Sequence, residues 1–120
     1  MSEYGPRIEI ENNDGIITAK LLDKEILEER TINDIQESLF SLVEDQPRIK
    51  LIVNFIKVKH LSSSALGTLI RLNKRVEEGG GALTLCEIKP SLYEVFVITK
   101  LNRLFDIYES LKEALDSYSE

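Results

Sequence analysis

Three consecutive hydroxyls, Ser62, Ser63 and Ser64, stand in "HLSSSALGTLI", directly before residues whose apolar members fall at helical spacing. One chemistry open to them is capping, in which a serine oxygen accepts an N–H of the first helical turn and stabilises the helix by about 1 kcal/mol. Another is to accept a phosphoryl group. Free N–H groups at a helix start bind anions, and the dipole there favours negative charge by about 0.3 to 1 kcal/mol at exposed sites. Position alone leaves both readings open. A third chemistry, nucleophilic catalysis with His60, the single histidine, has little behind it. It needs a base oriented by a third group and an oxyanion pocket, and no Gly-x-Ser-x-Gly elbow is present. Serine hydrolase is therefore a remote reading.

Other residues that suggest chemistry have plainer roles. Gly79 to Gly81 follow a helix, whereas phosphate-cradling glycines follow a strand and precede a helix, so these read as a helix stop. The lone cysteine, Cys86 in "ALTLCEI", reads as a small buried apolar residue that cannot form an internal disulfide. Tyr93 and Phe96 have the spacing of core residues, and Lys57 and Lys59 around Val58 read as solvated charge.

The whole chain sets limits on function. Its 120 residues predict one domain over 1–120, and 21 acidic against 15 basic side chains give a formal charge of −6. That balance argues against nucleic acid, since phosphate-backbone binding rests on Lys and Arg releasing counterions. "MSEYGPRIEI" lacks the basic start and apolar core of a signal peptide, and no apolar run reaches membrane-span length. A soluble, unprocessed, cytoplasmic chain is expected, with no membrane partner.

The serines have to be positioned by the elements around them. Two alternating segments in "RIEIENNDGIITAKLL" flank Asp14-Gly15 and predict a β-hairpin. In "TINDIQESLFSLVEDQP", Ile32, Ile35, Leu39 and Leu42 predict an amphipathic helix ending before Pro47, with Thr31 as cap and Asp34 as its return partner. The apolar run "IKLIVNFI", Ile49 to Ile56, predicts a central strand. After the serines, Ala65, Leu69, Leu72 and Val76, widened by Leu66 and Ile70, predict a second helix, and "ALTLCEI" a parallel strand reached by a right-handed crossover. "KPSLYEVFVITKL" fits a strand and a helical face about equally. "LFDIYE" predicts a short strand, and "SLKEALDSY" a closing helix with Ser110 and Glu113 at capping-box spacing. The fold class is α/β: a mixed sheet of four to five strands layered with about four helices. The serines then lie at the carboxyl end of a central strand, where ligands act in open α/β sheets.

The order of elements, with "SSSALG", "GGGALTLC" and "ITKLNRLFDIYESLKEAL", resembles a STAS domain of the anti-sigma-factor antagonist family over most of the chain. The family turn reads Asp-Ser-Ser/Thr-Gly-Leu-Gly. Leu66 and Gly67 match its end, Gly79 and Gly80 its later Gly-Gly turn, and Leu104 and Phe105 its Leu-Phe pair. The resemblance implies phosphorylation at Ser63, with Ser64 at the neighbouring Ser/Thr position. Ser62 stands where the family has aspartate, which removes a charge beside the acceptor, and Ala65 replaces the first glycine, which stiffens the turn. Leu22 and Asp23 match a Leu-Asp turn, after which the charged insertion "KEILEER", Lys24 to Arg30, reads as a solvated connection in preference to a segment that alters partner choice.

Carried over residue by residue, the resemblance implies a switch and partner-binding region of Asp23, Ser62, Ser64, Ala65, Leu66 and Gly67 around Ser63. It also implies that "KPSLYEVFVIT" is a helix. The implied function is a non-enzymatic regulatory module without cofactor or metal. It would bind an anti-sigma-type serine kinase until Ser63 is phosphorylated, and a PP2C-type phosphatase would reset it. The alternative is a non-catalytic, self-associating subunit of a larger, stressosome-like signalling assembly.

Overall fold

A computed structural model describes residues 7–118. The chain enters through the expected hairpin, β1 (Ile8–Asn13) and β2 (Ile16–Leu21), paired antiparallel with Ile8 opposite Leu21. Asp14 and Gly15 both have positive φ, 55° and 88°, as a tight hairpin turn matched to strand twist requires. β4 (Lys50–Asn54) and β6 (Ala82–Cys86) continue the sheet in parallel, and β7 (Asp106–Tyr108) closes it. The five-stranded order is β1-β2-β4-β6-β7, which makes β4 the central strand.

Helices α1 (Glu29–Asp45) and α2 (Ser63–Glu78) pack against one another. Their buried stripes, Ile32, Ile35 and Leu39 on α1 and Leu66, Leu69, Leu72 and Val76 on α2, share one core with Ile17, Ala19, Leu51, Val53, Leu83 and Leu85 from alternate sheet positions. The other face of the sheet carries Ile52 and Cys86, covered by Ala114 of α4 (Leu111–Asp116). Helix α4 is capped as its sequence predicts, with Ser110 Oγ accepting the Glu113 N–H at 3.1 Å. The Glu113 carboxylate reaches back to the Glu109 N–H at 3.2 Å.

The segment that fits strand or helix equally is α3 (Pro90–Ile98), as the resemblance implies. Pro90 opens it, a position where its missing N–H costs nothing. Leu92 and Phe96, one turn apart, go into the core, where the Phe96 ring meets Phe55 and Phe105 edge to face, both at 6.3 Å between centroids. This aromatic packing overrides the β-branched residues, of which Val97 and Ile98 face outward.

Three local expectations are corrected. Thr31 is no cap: α1 begins two residues earlier, after an extended Glu28 that makes no side-chain cap, and Thr31 is buried inside the helix. Asp34 does not return to it but accepts from Arg7 Nε at 3.3 Å. Ile70 does not widen the α2 stripe, because the helix turns it outward and it is exposed.

The largest difference is in "KEILEER". Its charged side chains are solvated as expected, but the segment is more than a connection. Glu25–Ile26 form β3, which pairs in parallel with β5 (His60–Leu61), Glu25 opposite His60 and Ile26 opposite Leu61, while Glu29 and Arg30 already belong to α1. Ile26 is 3% exposed and belongs to the core. Buried Ile26 and the backbone pairing with β5 together anchor the segment.

Candidate functional site

The turn between β5 and α2 gives the three serines different environments. Ser62 has extended backbone, φ −84° and ψ 168°, and its Oγ accepts the Ala65 N–H at 3.1 Å, so it is the N-cap of α2. Its carbonyl accepts the Leu66 N–H at 3.1 Å. Ser63 is the first helical residue and Ser64 the second, and both are exposed. Because the Ser62 hydroxyl serves the helix, those of Ser63 and Ser64 are left to face solvent. Their backbone N–H groups belong to the first turn, which has no intrahelical acceptors to offer.

Ala65 and Leu66 are buried and join the α1–α2 core. They hold the helix start in place rather than lining its surface. Gly67 is half-buried, and the Arg71 guanidinium lies back along the helix, with Nη1 3.7 Å from where a Gly67 Cβ would stand. Arg71 Nη2 donates to Gln36 Oε1 at 2.8 Å and to Thr68 Oγ1 at 3.1 Å, tying α2 to α1. Ser64, Gly67 and Arg71 line a cleft of about 480 Å³ whose other wall is Leu27, Asn33 and Gln36.

Asp23 sits half-buried at the end of the hairpin, its Oδ2 2.7 Å from Arg7 Nη1. The same guanidinium holds Asp34 on α1. Asp23 is thus engaged internally, in an ion pair that fixes the hairpin exit against the helix. The small β3–β5 sheet joins this region to the serines: the Lys59 N–H donates to Lys24 O at 2.7 Å and the Ser62 N–H to Ile26 O at 3.1 Å. The insertion and the serine turn, separate in sequence, therefore form one surface.

Leu27, Gln36 and Arg71 are members of that surface that sequence reasoning missed. The signal for Leu27 was an apolar residue beside Ile26 in a charged run; it is 48% exposed. Arg71 had only a faint signal, its position one helical turn after Gly67. His60 is exposed in β5, opposite Glu25, and among the described residues it makes no hydrogen bond to a serine. Lys57 and Lys59 are exposed around buried Val58. Tyr93 and Phe96 separate, Phe96 in the core and Tyr93 partly exposed.

Gly79, Gly80 and Gly81 end α2. Gly80 has φ +78°, the left-handed conformation that favours glycine, and the Gly81 N–H donates to Val76 O at 2.9 Å. Cys86 is fully buried, and loss of solvent, aided by the neighbouring Glu87 charge, pushes its thiol up to about 12, which keeps it protonated and unreactive. Among the described residues no three His, Cys, Asp or Glu are grouped to hold a metal, and no helix is long and apolar enough to cross a membrane.

Comparison with known proteins gives consistent results. The family model for the STAS domain matches residues 7–114. The anti-sigma F factor antagonist of Paenibacillus polymyxa is 19% identical over 109 residues, covering 91% of this chain and 92% of that protein. An anti-sigma-factor antagonist (STAS) domain protein from Planctomyces limnophilus superposes with a TM-score of 0.86 at 20% identity, covering 94% of this chain and 98% of the other. An anti-sigma factor antagonist from Mycobacterium paratuberculosis gives 0.82 at 21% identity, covering 94% and 93%. The structural likenesses establish a shared fold, and the family match extends over nine-tenths of the sequence: the chain belongs to the STAS domain family, among relatives named as anti-sigma-factor antagonists.

Proposed function

We propose that this domain is a phosphorylation-controlled binding module, switched at Ser63. The observation that carries the reading is the division of labour in the serine turn. Ser62 is spent as the N-cap, while Ser63 presents an exposed hydroxyl at the start of a long helix seated in the core. In its unmodified form the domain binds a serine kinase of the anti-sigma type, through the exposed serines and the neighbouring cleft. Asp23, Ser62, Ala65, Leu66 and Gly67 support that surface by fixing the hairpin exit and the helix start. A partner cation seeking Asp23 would have to compete with Arg7.

The switch is electrostatic. A phosphoserine adds about −1.5 to −2 charges at neutral pH. Placed at the helix start, it is tolerated by the free N–H groups and the dipole, so the fold survives. A partner carboxylate or dry contact over the same spot is not so tolerant. A difference of about 3 kcal/mol between free and bound states weakens binding more than a hundredfold. A PP2C-type phosphatase would restore the binding form.

Incubation with cognate kinase and ATP, read by intact-protein mass spectrometry, tests this. One phosphate is expected on the native chain and none on Ser63→Ala. In a pull-down from native extract, Ser63→Ala should retain the kinase and Ser63→Glu should lose it. An unchanged mass in the native protein, or equal capture by both variants, would refute the switch. Growth of a large self-associated particle in light scattering would instead favour a subunit of a larger signalling assembly.

A further inference from the structure

Charge is unevenly divided along the chain. From Gln46 to Val76 there is no aspartate or glutamate, although that stretch holds seven of the 15 lysines and arginines. The remaining residues carry all 21 carboxylates with eight cations, a formal charge of −13 against the −6 of the whole. Ser63 lies inside the carboxylate-free stretch, and Ser62, where the family turn has aspartate, keeps it so. Folding then sorts the seven cations. Arg48 and Lys50 stand at the amino end of β4, whereas the serines follow its carboxyl end. Arg75 pairs with Glu44 at 3.1 Å, and Arg71 donates to Gln36 and Thr68. Lys57, Lys59 and Lys74 are exposed and make no ion pair among the described residues.

These three lysines flank Ser63 on both sides. On α2 the outward positions Ser63, Gly67, Ile70 and Lys74 recur at the helical period and form one stripe, about 17 Å long at a rise of about 1.5 Å per residue. Lys57 and Lys59 precede the start of that stripe in the connection from β4 to β5, on either side of buried Val58. Large apolar side chains are exposed among them: Ile70 within the stripe, Ile56 beside Lys57, and Leu27 in the cleft that Ser64 also lines. The carboxylates of this region, Glu25 opposite His60 and Glu29 in the cleft wall, come from the insertion. Exposed apolar groups set among unpaired cations, on a chain whose remaining residues are acidic, complement a protein surface of carboxylates and apolar side chains.

Building on the reading of Ser63 as a switch, we propose that the outward stripe of α2 and the Lys57–Lys59 connection dock an acidic, partly apolar segment of the partner protein. Its carboxylates meet Lys57, Lys59 and Lys74, and an apolar side chain meets Ile70. The switch then acts inside the patch. Phosphate on Ser63 brings about −1.5 to −2 charges among the three lysines, which cancels their attraction for the partner and repels its carboxylates. A nucleic acid fits the surface less well. Its backbone would run beyond a stripe of this length onto residues with a large excess of carboxylates, and it has no apolar side chain to offer Ile70.

Fluorescence anisotropy with the full chain tests the proposal. The probe is a labelled peptide of about twelve glutamates and leucines in amphipathic order, as long as the stripe when helical. Saturable binding at submillimolar concentration is expected, weakening as salt rises, and none for the same peptide with lysine in place of glutamate. Lys59→Glu and Lys74→Glu, at exposed positions, should each weaken binding about two- to fivefold. Lys100→Glu, the same charge change beyond α3, should leave it unaltered. Ser62→Asp, which keeps a capping oxygen on a folded domain, should weaken it as well. No saturation by about 1 mM, undiminished affinity in Lys59→Glu and Lys74→Glu, or an equal loss in Lys100→Glu would overturn the assignment. Tighter binding of a thymidine oligonucleotide of the same length would overturn it in favour of nucleic acid. Self-association of the chain alone that Lys59→Glu abolishes would overturn it in favour of a second copy. The mass of the kinase-treated chain separates the two readings: a phosphorylated Ser63 on a chain that ignores the peptide removes the acidic partner and keeps the switch, and peptide binding without phosphorylation does the reverse.

Discussion

Replacing Ser62 by alanine and by aspartate isolates the structural role of the serine turn. In the native chain Ser62 Oγ accepts the Ala65 N–H at 3.1 Å, and the two residues that follow Ser64, Ala65 and Leu66, are buried. Fraying the first turn of α2 would pull both from the core, so loss of the cap cannot be absorbed locally. Ser62→Ala should therefore lose the full value of an N-cap, about 1 kcal/mol. For a chain of this size that lowers the melting temperature by about 3 to 6 °C. Aspartate caps as well as serine, and its charge meets the helix dipole, so Ser62→Asp should equal or exceed the native stability by up to about 1 kcal/mol at neutral pH. That gain should fade as the pH falls below the ordinary carboxylate value of about 4, since a carboxylate held by the helix start keeps its charge to lower pH than in the unfolded chain. Urea unfolding followed by circular dichroism measures all three proteins, and an unchanged slope would show that the unfolded state is the same. Ser63→Ala and Ser64→Ala, at exposed positions, should stay within about 0.5 kcal/mol of the native chain. A neutral Ser62→Ala, or a Ser62→Asp protein less stable than it, would refute the division of labour among the serines.

Two further outcomes follow from the packing. Gly81→Ala should destabilise the domain by about 3 kcal/mol in urea unfolding, because its Cβ would overlap the Ile49 carbonyl oxygen and lie 2.9 Å from the Ile49 nitrogen, both rigid backbone. Cys86 should resist a thiol reagent at neutral pH until the protein unfolds. Its folded thiol is raised to about 12 from 9.0, so the stability gained from keeping it protonated is complete below pH 9 and declines between pH 9 and 12. Rapid labelling of the folded chain, or a Cys86→Ala protein with the same alkaline profile, would contradict that burial.

The legible parts of the fold were those whose signal is local. Asp14-Gly15 imposes a hairpin by backbone sterics, the apolar run through Val53 is buried on both faces wherever it pairs, and the stripe from Ala65 to Val76 repeats at the helical period. The role of Ser62 as cap is also local, being a contact across three residues. The α3 segment shows the limit. Its periodicity admitted two structures, and the choice was made by Phe55 and Phe105, 41 residues before and 9 after Phe96.

What the sequence by itself determined is the mixed α/β sheet and the strand-to-helix turn that carries three serines. Only the tertiary structure decided that Glu25–Ile26 of the charged insertion pair with β5 beside those serines, and that Asp23 is already held by Arg7. The physical reason is range. Caps, turns and periodicity are fixed by neighbours within a few residues, whereas burial, strand pairing and ion pairing depend on groups that only folding brings together.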